Sequence, residues 1–133
     1  MNQPQEQVQI ENEYEDTKRQ IDHGFKQVED QKKWLEKKVE ERGYNHNNLR
    51  YSIFPNNDSR SEYEIQIKHF GDHQYQVITF EDRGSLGAED TYNDFQAAGT
   101  DFLKRLDATV RYNKSISGDP TLGQLYPSPL WDK

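Results

Sequence analysis

The chain contains no cysteine, which excludes disulfides, thiolate nucleophiles, cysteine-ligated zinc and iron–sulfur clusters. Aliphatic residues are scarce as well. Leu, Ile, Val and Phe number 8, 7, 5 and 6 among 133 residues, at the lower edge of what a fully globular chain carries at a net charge of −7. No apolar run approaches the roughly 20 residues of a membrane span, and Met1 to Glu6 do not open a basic region followed by an apolar stretch. The expectation is a soluble cytoplasmic protein. No nucleophile elbow, His-Glu-x-x-His, Walker or Rossmann pattern is present, so neither an enzyme nor a cofactor is expected.

What the chain does have is aromatic residues, 16 of them, most lying between Tyr44 and Tyr112. Each can bury roughly 150 to 250 Å². They point to a compact middle domain with less globular arms on either side: a helical arm over 1–43, a compact βββα domain over 44–114 and an extended tail over 115–133.

From Glu6 to Arg42 there is no proline, and Tyr14, Ile21, Val28 and Leu35 recur every seven residues. The spacing predicts one long amphipathic helix that stops at Gly43. Phe25 and Val39 extend its stripe, whereas Lys18 and Lys32 interrupt it. Beside the stripe runs an acidic column, Glu15, Asp22, Glu29 and Glu36. Antiparallel self-pairing would set that column against itself, so a parallel homodimer is the less penalised association. The same stripe could instead cover the protein's own sheet.

Residues 44 to 83 change to an alternating period. Leu49, Tyr51 and Ile53 predict a short strand ended by Pro55, and Tyr63, Ile65 and Ile67 predict a second. Gly71-Asp72 reads as a hairpin reversal into a third strand from Gln74 to Phe80, whose core-facing residues depend on the loop length. A second helix is expected over Ala88 to Lys114, with Tyr92, Phe95, Phe102, Leu106 and Val110 on one side. The fold class is therefore α+β: a long helix, a three-stranded antiparallel sheet, a helix packed on it and a proline-containing tail. In that tail Leu125, Leu130 and Trp131 either dock on a partner or fold back over a thin core.

His69, Asp72 and His73 offer at most three ligands around a turn, a poor specification for a metal. Gly84-Ser85-Leu86-Gly87 has no lysine after it and acids around it, which argues against a phosphate loop. Helix, three strands, helix is also the element order of double-stranded RNA-binding domains. Those grip phosphate with a basic second-helix start, and here that position reads Glu89-Asp90-Thr91-Tyr92-Asn93-Asp94.

Charge carries the functional reading. Residues 6–16 and 81–101 each hold a net charge near −5, the second stretch with Glu81, Asp82, Glu89, Asp90, Asp94 and Asp101 against Arg83 alone. Helix-dipole stabilisation accounts for Glu89, Asp90 and part of Asp94. Segregated acidic faces attract cationic surfaces and repel nucleic acid and anionic lipid. The expectation is a non-enzymatic interaction module, an inhibitor that occupies the basic surface of a nucleic-acid-handling partner. Nuclease immunity and phage anti-defence proteins are of this type. Its contacts would be Glu15, Asp22, Glu29, Glu36, Glu81, Asp82, Asp94 and Asp101. The alternative is a dimeric adaptor or secretion-type chaperone that holds an apolar client segment along Tyr14, Ile21, Phe25, Val28, Leu35 and Val39.

Overall fold

A computed structural model describes residues 28–56, 60–70, 74–116 and 123–131. Its elements are α1 (Val28–Glu41), β1 (Tyr51–Ile53), β2 (Ile65–His69), β3 (Tyr75–Phe80), a 3₁₀ turn at Asp82–Gly84, β4 (Leu86–Tyr92) and α2 (Phe95–Ser115). The class is α+β, as the periodicities predict. The part of the expected long helix before Val28, with Tyr14, Glu15, Ile21, Asp22 and Phe25, lies outside the described residues.

α1 ends where its sequence says it should. Gly43 sits at φ 82°, and the Gly43 and Tyr44 amides return to the carbonyls of Glu40 and Val39. Its inward face is Gln31, Trp34, Leu35 and Val39, with Leu35 and Val39 fully buried. Within the described residues the apolar stripe thus covers this chain's own core, where it contacts β1 and α2. Leu35 and Val39 present no seam to a second molecule.

The sheet differs from expectation in three ways. Its order is β1-β2-β3-β4, four strands rather than three. β1 runs parallel to β2, with Tyr51 opposite Ile65 and Ile53 opposite Ile67, so the sheet is mixed. Residues 86–92, expected to be a loop and a helix start, form β4 antiparallel to β3, and α2 begins seven residues later than expected, at Phe95. Asp94 caps it, accepting from the Ala97 amide at 2.8 Å.

The β2–β3 hairpin pairs Ile67 with Val77 and His69 with Tyr75, and the Phe70 amide closes it on the Gln74 carbonyl. This register turns Tyr75 and Val77 toward the helices. It turns Ile78 to the other face, in a row with Ser52, Gln66 and Glu89. On that face the buried Glu64 carboxylate is fully engaged. It accepts from Ser52 Oγ at 2.5 Å, Gln66 Nε2 at 2.6 Å and the Ser61 amide at 3.2 Å.

The tail folds back over the core. Tyr126 and Trp131 are buried with rings 5.1 Å apart, and Trp131 Nε1 donates to the Tyr126 carbonyl at 2.8 Å. Asn113, wholly enclosed in the last turns of α2, receives the Leu125 amide at 2.9 Å. Arg50 lies 4.2 Å from the Tyr126 ring centre, and its amide donates to the Tyr126 hydroxyl. Four apolar side chains of the tail thereby supplement a core that the middle domain alone leaves thin.

Candidate partner-binding surface

The structure sorts the expected contact residues into three groups. Glu29 and Glu36 are exposed on α1, on the side of the sheet that ends in β1. Glu81 and Asp82 are exposed at the turn between β3 and β4, the opposite edge. Asp94 and Asp101 have duties inside the chain. Asp94 caps α2, and Asp101 is half-buried, accepting the Tyr92 hydroxyl at 2.7 Å and pairing with Arg105 at 3.0 Å.

Two acids attributed to the helix dipole stand elsewhere. Glu89 and Asp90 project from β4, an edge strand whose residues Leu86 to Thr91 are all exposed. A strand has no macrodipole for them to stabilise. They therefore join Glu81 and Asp82 as acids on one side of the molecule that no dipole accounts for. The Glu89 carboxylate accepts from Gln76 Nε2, its neighbour on the outer face, and remains exposed.

Glu62 extends this group and was not legible from spacing. Its carboxyl shares a hydrogen bond with Asp82, and that contact, with some burial and like-charge repulsion, lifts it above the ordinary glutamate range. The shared hydrogen bond brings a residue of the β1–β2 connection against the β3–β4 turn. No local pattern in the sequence signals that contact.

Arg105 organises the inner face of the edge. From α2 it reaches across to the carbonyls of Val77 and Ala88, both at 3.2 Å, and to Thr79 Oγ1 at 3.1 Å. It also pairs with Asp90 at 2.5 Å and Asp101 at 3.0 Å. One guanidinium therefore ties β4 to both β3 and α2. Beside it, burial and the bond to Asp101 push the Tyr92 hydroxyl up to about 12. A cleft of about 360 Å³ opens here between the end of β4 and the start of α2, lined by Tyr92, Asp94, Ala97, Thr100 and Lys104 among others.

The other candidates dissolve into structure. His69 packs its ring 5.1 Å from Tyr75 and 6.1 Å from Phe54, while Asp72 and His73 lie outside the described residues. Among the described residues no cluster of three or more His, Asp or Glu side chains could hold a metal. None of the helices described is long and apolar enough to cross a membrane.

No curated protein and no solved structure matches the chain. The family model described as Immunity protein 59 does, over residues 28–132, from the first residue of α1 to past the buried Trp131. That span holds α1, the mixed sheet, α2 and the strapped tail, and it is far more than half of the sequence, so the chain belongs to the Immunity protein 59 family.

Proposed function

We propose that this protein is a non-catalytic inhibitor that neutralises a toxin by covering a cationic, nucleic-acid-handling surface on it. Membership of an immunity family supports inhibition by binding a toxin partner. The observation that carries the finer reading is the exposed group Glu81, Asp82 and Glu89 at the β4 edge, with Asp90 beside them already paired to Arg105. Carboxylates held on a rigid sheet can substitute for phosphates in a basic groove and steer association. Family membership favours the immunity form of this inhibitor over the phage anti-defence form. The chaperone reading loses support, since Leu35 and Val39 of its client seam are enclosed.

The test is binding to the toxin partner, sought first among the neighbouring genes, measured from low to physiological salt. Affinity should fall steeply with salt, and reversing the charge of Asp82 and Glu89 together should weaken binding by at least tenfold and restore toxicity. Binding indifferent to salt and to both reversals would sink the proposal.

A further inference from the structure

We infer that β4 is a docking edge: it accepts a basic, extended strand of the partner as a fifth strand of the sheet. The inference rests on the toxin-binding reading above and sharpens where and how the partner is held.

The hydrogen-bond phase of the sheet identifies the available groups. Phe80 donates its amide to the Glu64 carbonyl on β2's side. Alternation along an antiparallel strand then directs the backbone groups of Ile78 and Gln76 to β2, and those of Thr79, Val77 and Tyr75 to β4. Their partners Ala88, Asp90 and Tyr92 bond back to β3. By the same alternation the N–H and C=O groups of Glu89 and Thr91 point away from the sheet, with no partner among the described residues.

Proteins ordinarily blunt such an edge with lysine, proline, shortness or a covering element. β4 has seven residues with neither lysine nor proline, and its only irregularity is a bulge opposite Thr79 and Phe80 at its start. The charges it does carry are Glu89 and Asp90, with Glu81 and Asp82 just before it. A second copy of this chain pairing through the same edge would bring like charges together across the strands. A lysine- or arginine-bearing strand meets the opposite situation, with backbone bonds for affinity and the exposed carboxylates of Glu89, Glu81 and Asp82 for selectivity, Asp90 being already paired with Arg105. Charge therefore selects a basic strand over self-association.

The experiment uses the full chain and a capped heptapeptide of alternating lysine and threonine, with a glutamate–threonine heptapeptide as control. In the free chain the amides of Glu89 and Thr91 should exchange with solvent at least tenfold faster than those of Ala88 and Asp90. The basic peptide at low salt should slow exchange at Glu89 and Thr91 specifically, and the acidic one should not. Thr91→Pro removes one outward donor while leaving every charge and every bond to β3, so it should weaken peptide binding at least tenfold with the thermal midpoint little changed. Asp90→Pro, which breaks the ladder itself, marks the outcome expected if the fold rather than the edge is lost. Peptide binding that maps to Glu29 and Glu36, or that survives Thr91→Pro, overturns the docking edge and leaves the proposed function standing. No binding of the basic peptide at low salt overturns the docking edge alone, since the proposed function stands or falls with the salt dependence of toxin binding.

Discussion

Arg42 and Asp107, 65 residues apart in sequence, meet at 3.2 Å, and the Tyr44 hydroxyl donates to the same Asp107 oxygen at 2.8 Å. One carboxylate thus fastens the end of α1 and the turn after it to the middle of α2. Burial and the Asp107 contact hold Tyr44 well above the ordinary tyrosine range. Asp107→Ala should cost about 2 to 3 kcal/mol in urea unfolding, because it strips two donors at once. Asp107→Asn should cost less and bring the Tyr44 titration down.

Arg105→Lys is not a conservative change here. A single ammonium cannot span Asp90, Asp101 and the carbonyls of Val77 and Ala88 together. Stability should fall by about 1 to 2 kcal/mol. Hydrogen exchange should show Ala88 and Asp90 losing protection first, with β2 and the core of α2 unaffected.

Gly87→Ala places a methyl group 2.7 Å from the Thr79 carbonyl oxygen and 2.8 Å from Glu81 Cγ. The side chain of Glu81 can swing aside, but the backbone oxygen cannot. Overpacking at the bulge should destabilise by about 1 to 3 kcal/mol. A denaturant midpoint equal to that of the unaltered protein would show that the bulge relaxes without resistance.

Alkaline titration should expose Tyr92. In the unfolded chain its hydroxyl ionises near 10, and in the folded chain near 12. Because the folded pKa is the higher, stability is complete below pH 10 and declines as pH rises through 12. Tyr44 moves in the same direction. The decline in thermal midpoint between pH 10 and pH 12 should be shallower in Tyr92→Phe, and an unchanged slope would rule out a titrating Tyr92 as its cause.

Trp131→Ala should cost about 3 to 5 kcal/mol, as loss of a large buried ring does. The residue is only 2% exposed, so this tail is part of the folded domain. Trp34 is also buried, and native fluorescence should therefore be blue-shifted as a whole, with the Trp131→Phe variant retaining most stability and losing part of the intensity.

Elements with a strong period were readable in the sequence, and those without one were not. α1 closes at Gly43, the hairpin closes between Phe70 and Gln74, and α2 carries Phe95, Phe102, Leu106 and Val110 inward as their spacing implies. β4 was missed because an edge strand wet on both faces has no alternation to detect, and Leu-Gly-Ala-Glu-Asp-Thr-Tyr resembles an acidic helix start. The Asn93-Asp94 pair ahead of Phe95 was the available cue, since aspartate is a favoured cap. The parallel pairing of Tyr51 with Ile65 depends on how the intervening segment crosses, which no local residue dictates. For the candidate surface, Glu81 and Asp82 were legible from charge alone. Glu89 and Asp90 joined them only once their backbone proved to be strand.

The sheet's two margins are unequal. β1 has three residues, and the tail is bonded to the chain leading into it, through Tyr126 to Arg50 and Ser128 to Asn48. β4 is more than twice as long, and its residues Leu86 to Thr91 are exposed. A strand arriving at this sheet therefore finds seven residues to pair with on one margin and three on the other, which gives the sheet a preferred direction of growth.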